Sequence, residues 1–370
     1  MRRSRGKVLC AKLNRVAVQD SDILTTLTTR CKELRHLEIV NGFSGSSILD
    51  AAPLAMNLES IVLSEAAEMS LDGANVLLQK CPNLQRAEFK NLISAGNRMA
   101  WPVKMENLRI LRLESGSKKV SSVFLNLNAL FEHAPNITEL SIIGWLKDNL
   151  PLVAPDFGKL PHLTHLTLNP VPTAVFPRLP ASLTSLSMSG CYSMDFFSHP
   201  MTQINLSSLR LENLTELRIH DGQYLPADVA RTLLAHCRGD DKLRILGITR
   251  CLFINDTVIQ QFLDEGVLVA EHLEELDLSD NASITDTTVE ALAQHGVAAL
   301  KKLNLSRTRV TGAGLKTLVT HPKANKLERL VLNGCTSMGI DAAEYIKTKG
   351  IAVEFRFPDN LKYGKRIRYG

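Results

Sequence analysis

Glu275 and Asp277 stand two residues apart, so on a strand they share one face, and paired carboxylates in such an arrangement can act as acid and base. No pocket-forming or nucleophilic partner accompanies them, which points instead to a solvated face. His162 and His165 form H-x-x-H, a pair of metal-ligand side chains. On a strand, residues three apart face opposite ways, a poor geometry for one ion. Gly312-Ala-Gly314 precedes a helical pattern, as in a phosphate loop, but lacks a third glycine and reads as a structural turn. Arg238-Gly239-Asp240 also reads as a turn. The seven cysteines include no C-x-x-C. They are expected to be small packing thiols, with neither zinc nor disulfides. G-x-S-x-G, H-E-x-x-H and Walker motifs are absent from the sequence, so no enzyme, cofactor or metal site is expected.

The element that carries the carboxylate pair explains it. Leu273-Glu-Glu-Leu276-Asp-Leu278 is an L-x-x-L-x-L segment, repeated at Leu300-Lys-Lys-Leu303-Asn-Leu305 and Leu327-Glu-Arg-Leu330-Val-Leu332, with first leucines 27 residues apart. Weaker copies start at Leu13, Leu34, Leu58, Leu84, Leu108, Ile137, Leu163, Leu183, Leu214 and Leu243, and a last strand is expected over residues 351–355. An internal period of this size predicts a solenoid. Alternation along each strand sends Leu276 and Leu278 inward and Glu275, Asp277 and Ser279 outward. Thr285 and Thr311 then precede apolar residues at helical spacing, Val289, Leu292 and Ala293 or Leu315 and Leu318, and read as N-caps. One unit cannot bury its apolar face alone; stacked units can. The expected fold is therefore an α/β solenoid with about thirteen repeats, parallel concave strands and convex helices.

The proposed organisation is a basic segment at 1–12, a solenoid over 13–356 and a basic tail at 357–370. Eight of the fifteen prolines fall between Pro151 and Pro200, so the convex side is expected to be extended or loop-like, and the arc flatter, across 145–212. Trp145 opens that region, either as a buried plug of the irregular segment or as an exposed anchor for a partner. The net charge of +5 is modest, and the basic runs sit at the two ends. With aromatics at 5% and no aromatic-plus-basic platform, composition argues against nucleic acid. Neither a signal peptide nor a membrane-length apolar run is evident, which predicts a cytoplasmic or nuclear protein without a membrane partner. Six N-x-S/T matches, including Asn136 and Asn281, then read as by-products of the repeat.

The segments Leu273 to Leu292 and Leu300 to Leu318, with Cys251 and Cys335 in the turn after the strand and C-x-x-L at Cys31 and Cys81, resemble leucine-rich repeats of the cysteine-containing, ribonuclease-inhibitor-like subclass. Asn281 and Thr308 depart from that subclass at the same turn position. It is similar to the repeat half of F-box proteins, so the resemblance implies a substrate receptor of a ubiquitin ligase, contacting ligase subunits through an N-terminal segment. The residues before Leu13 are too few to hold an F-box. A stand-alone scaffold is the alternative. A GTPase regulator resembling the Ran GTPase-activating proteins ranks last, because their acidic tail is basic here.

A protein partner on the concave face is the expected ligand. Its outward strand positions are His36, Arg86, Ile110, Glu139, His165, Glu216, Glu275, Lys302 and Arg329, with Arg15 for the first copy. A second row holds Glu88, Arg112, Arg218 and Asp277. Mixed sign suits a folded protein more than a polyanion.

Overall fold

The computed structural model describes residues 8–14, 27, 29–40, 57–64, 69–93, 101, 104–115, 127–144, 155–170, 175–190, 197–237, 242–268, 272–295, 297–322 and 326–356. Arg15, Trp145, Cys191, the Arg238-Gly239-Asp240 turn and both basic ends lie outside them. The chain divides into two compact units, Met1–Leu183 and Thr184–Gly370.

In the first unit, strands β1 (Cys10–Leu13), β2 (His36–Ile39), β3 (Ser60–Leu63), β5 (Arg86–Ile93), β6 (Ile110–Ser115), β7 (Glu139–Ile143) and β8 (His165–Asn169) pair in parallel in that order. The short β4 (Met69–Ser70) pairs only with β5. In the second unit β9 (Ser185–Ser189), β10 (Glu216–His220), β11 (Ile245–Ile248), β12 (Glu275–Asp277), β13 (Lys302–Asn304), β14 (Arg329–Val331) and β15 (Ala352–Glu354) do the same. The helices are α1 (Leu71–Lys80), α2 (Leu127–His133), α3 (Pro200–Ser207), α4 (Ala227–His236), α5 (Asp256–Asp264), α6 (Asp286–His295), α7 (Gly312–Thr320) and α8 (Ile340–Thr348). From β10 onward every strand but the last is followed by a helix, and α5, α6, α7 and α8 stack in turn.

The register aligns like positions. Leu276 pairs with Leu246 and Leu303, and Leu303 with Leu330. Leu276, Leu278, Leu303, Leu305, Leu330 and Leu332 are all buried, as the alternation requires. The first repeat departs from expectation. Leu13 pairs with Ile39, so it ends its leucine triplet and does not begin one, and Cys10 is the residue beside His36. Val8-Leu-Cys-Ala11-Lys-Leu13 starts on Val and uses the small Ala11 inside, which hides its pattern. The proline-rich stretch carries the 3₁₀ turn Phe157–Lys159 and a bridge between Asp156 and Arg178. Pro200, however, opens α3, because a proline at the first helical position gives up only an N–H that had no helical partner.

The turns after the strands in the second unit form two columns. Two residues past the last inward strand side chain come Gly190, Asp221, Arg250, Asp280, Arg307 and Gly334, all with φ between 51° and 77°. This left-handed step lets Arg250, Asp280 and Arg307 donate their amides to Ser279, Ser306 and Asn333 of the next repeat. The following residue, Cys251, Asn281, Thr308 or Cys335, is buried. Asn281 donates to the Ile248 and Leu278 carbonyls at 2.7 and 2.9 Å and accepts from the Cys251 amide at 2.8 Å. Thr308 and the Cys335 thiol both donate to the Leu305 carbonyl. Buried backbone polar groups need such partners, so Asn, Thr and Cys are equivalent solutions here. The Asn281 amide is 1% exposed, so its N-x-S/T match is structural.

A third device links helix to helix. Asp256, on the first turn of α5, accepts from the amides and hydroxyls of both Thr285 and Thr288. Asp286, on the first turn of α6, accepts from the Thr311 amide at 2.7 Å and from its hydroxyl. Thr311 caps α7, as expected, by accepting from the Ala313 amide. The Gly312-Ala-Gly314 turn is therefore no anion cradle: a carboxylate of the protein already sits at that helix end. A Cβ on Gly314 would stand 2.7 Å from the Asp286 Cβ.

Leu303→Asp places a charge where nothing can hydrate it and should cost about 4 kcal/mol or more in urea denaturation of the full chain. A denaturation curve like that of the wild type would refute the register. Gly314→Ala should destabilise by about 1 kcal/mol or more despite alanine's higher helix propensity, because Asp286 must move. A gain in stability would mean that the Asp286 cap is dispensable.

Candidate protein-binding face

The outward strand positions form two registered rows in each unit. In the first unit, His36, Ser60, Arg86, Ile110, Glu139 and His165 make one row and Glu38, Val62, Glu88, Arg112, Ser141 and Thr167 the next. In the second they are Ser185, Glu216, Ile245, Glu275, Lys302 and Arg329, beside Ser187, Arg218, Gly247, Asp277, Asn304 and Val331. Every expected site residue thus falls on an outward row. Only the first copy is displaced, with Cys10 where Arg15 was expected.

What register alone does not convey is how these charges pair. Arg86 holds Glu88 on its own strand, with the guanidinium Nε 2.8 Å from Glu88 Oε1. Arg112 turns to Glu114, at 3.0 Å, and not to Glu88 beside it. Arg86 and Arg112 are each paired with a carboxylate of their own strand. His36, Glu139, His165 and Ile110 stand apart from these pairs along the row. His165 accepts or donates a hydrogen bond with the Thr164 hydroxyl at 2.9 Å, while His162 is in the turn before β8.

The second unit carries a connected network. The Ser185 hydroxyl donates to Glu216 at 3.0 Å. Arg218 donates through Nε to Glu216 Oε1 at 2.6 Å and through Nη2 to Glu275 Oε1 at 3.1 Å. Lys302 reaches the same Glu275 oxygen at 3.1 Å. Arg218 starts on β10 and Glu275 on β12, so the guanidinium crosses β11. Asp277 accepts from the Asn304 amide at 2.9 Å and from the Ser279 N–H. Arg329 pairs with Glu354. The carboxylates raise the Arg218 pKa above its ordinary value even though burial, the largest single influence, opposes them.

Sequence reasoning missed Glu114, Glu354, Asn304 and His220 as members of this surface. His220 ends β10 beside the Thr249 hydroxyl at 3.3 Å. Burial pulls its pKa below 6.5; Arg218 adds to the effect, and Asp277 and Glu216 oppose it. The pairs Asp221–Arg250 at 3.3 Å and Asp280–Arg307 at 3.1 Å line the adjacent left-handed column. The period-two spacing of the strands does not extend to that column, although the recurring L-S-[DR] of Leu278–Asp280 and Leu305–Arg307 is its trace in the sequence. The thiols of Cys81 and Cys237 are buried and pushed up to about 11 and about 12 by burial, which keeps them protonated and packed.

Parallel strand–helix repeats stacked on leucines, with a buried Cys, Asn or Thr in the turns after β11 to β14, make a leucine-rich-repeat fold. A family model described as Leucine Rich repeat matches residues 269–293. No curated protein matches the chain in sequence. Among solved structures, a chain in the crystal structure of the Rad7 and Elc1 complex of yeast is similar in fold, with TM-score 0.52 and 15% identity over 90% of this chain and 86% of that one. The internalin InlF of Listeria monocytogenes gives 0.48 and 13% over 97% and 85%. A chain of the TLR13–ssRNA13 complex gives 0.45 and 19% over 83% and 40%.

In an NMR titration the His220 imidazole should protonate below pH 6.5. Because its folded-state pKa is depressed, it costs no stability above pH 6.5. Stability falls as the pH drops from there through the folded pKa, where the unfolded chain binds the proton more readily. A midpoint above 6.5 would place His220 outside the buried network.

Proposed function

We propose that the chain is a protein-recognition module that binds through the outward strand rows, and that it serves as the substrate-recognition part of an F-box-type ubiquitin ligase receptor. The observation that carries the first part is the second unit's surface: an open array of half-buried charges of both signs, held in place by one another. Such pre-organised, mixed-sign surfaces favour a complementary folded partner, because the fixed charges need little reordering on binding. A polyanion would meet as many carboxylates as cations. The turn cysteines Cys251 and Cys335 and the C-x-x-L segments support the narrower reading through their likeness to the repeats of F-box proteins. That a chain of similar fold occurs in a complex with Elc1 is consistent with it. The proposed role includes no catalytic step.

Affinity purification from cells with mass spectrometry tests both levels. Arg86→Gln with Arg112→Gln alters the first unit's rows, and Lys302→Gln with Arg329→Gln the second's; Glu290→Lys changes the exposed side of α6. At least one strand double variant should lose the main partner about fivefold or more, since few residues dominate an interface, while Glu290→Lys captures it fully. Equal capture by all three removes the strand rows as the binding surface. Ligase subunits should co-purify; if a partner is captured without them, the ligase role falls and protein recognition stands.

A further inference from the structure

Gly247 lies inside β11, in the second outward row between Arg218 and Asp277. Nothing in the fold demands a glycine there. Its φ is not left-handed, and the ladder on both sides is regular. An added Cβ would meet only ordinary contacts, 3.6 Å from Arg218 Cγ and 3.7 Å from Asp277 Cβ. Glycine weakens a strand interior, so its presence here leaves the outward side of β11 bare at this position. The side chain of Arg218 passes over it from β10 to Glu275 on β12.

Both hydrogen bonds of that guanidinium use its edges: Nε toward Glu216 and Nη2 toward Glu275. Ser185 and Lys302 hold the two carboxylates from the far sides. A cation so clamped in its plane interacts with further groups through its faces, and the side chain remains 23% exposed. Beside it in the first row, between Glu216 and Glu275, is the half-buried Ile245. A flat guanidinium next to an aliphatic side chain matches an aromatic ring, which packs on carbon and is attracted face-on by the cation. The rotatable point charge of lysine would not offer that plane.

We propose that Arg218, laid across Gly247 and flanked by Ile245, is a stacking platform that receives an aromatic side chain of the protein partner; this rests on the strand-row reading above. The probe is a phage-displayed random-peptide library selected on the full-length protein, followed by affinity measurements with the enriched peptide. The enriched peptides should share a tryptophan or tyrosine. Arg218→Lys, which keeps charge without the plane, should weaken binding about fivefold, the order of one cation–π contact. Gly247→Gln, which occupies the path of Arg218, should do the same, and unchanged melting temperatures establish that both variants are folded. Glu290→Lys should bind as the wild type does.

Full affinity in folded Arg218→Lys overturns the platform, as does failure to enrich any peptide. Enriched peptides without an aromatic residue, weakened by Lys302→Gln with Arg329→Gln, overturn the platform but keep the strand rows as the binding surface. Peptides indifferent to every strand variant remove that surface as well.

Discussion

After each of β11 to β14 the chain turns inward, and the residue that follows the left-handed step is buried. The carbonyl and amide groups of the turn need partners, which the backbone of the next repeat and side chains of the same turn or the next supply. Asn281 donates to the Leu278 carbonyl, and Thr308 and Cys335 both donate to that of Leu305. An unmade hydrogen bond at such a place costs about 1–3 kcal/mol, more than most surface contacts contribute. Leucine burial drives the stack together, but this polar requirement sets how one repeat sits on the next. The left-handed residue just ahead of it belongs to the same solution, since it turns the chain while keeping the amide in the ladder.

The outward surface follows from that stacking. Parallel pairing in constant register gives each exposed residue two fixed neighbours. A charge on one strand meets whatever its neighbours carry, and the second unit uses this to hold Glu275 between Arg218 and Lys302. Side chains immobilised before a partner arrives lose less entropy on binding, so the network contributes to recognition through rigidity more than through net charge.

The repeat was legible in the sequence because leucine at period two is an unambiguous signal wherever both inner positions are large. It failed at the first copy, where Ala11 takes an inner position and Leu13 could be counted as a beginning. Rows of outward residues follow from the same alternation and were readable. Their pairing was not, because Arg112 can reach either Glu88 or Glu114 and only side-chain geometry decides. The crossing of β11 by Arg218 runs over Gly247, which a search for charged residues passes over. Pro200 was read as a breaker because a sequence does not show whether a proline falls inside a helix or at its start.

The carboxylates of Asp256 and Asp286 give the helical layer a direction. Each reaches forward to the residues that begin the next helix. Cutting the stack between α6 and α7 would therefore injure its halves unequally. The piece ending with α6 keeps a solvated aspartate, an ordinary surface residue. The piece beginning with α7 loses the anion at the positive end of its first helix and leaves those amides to water. Fragments that start at an internal repeat should fray from their leading edge, so dissection of this chain into shorter stacks has a preferred side from which to remove material.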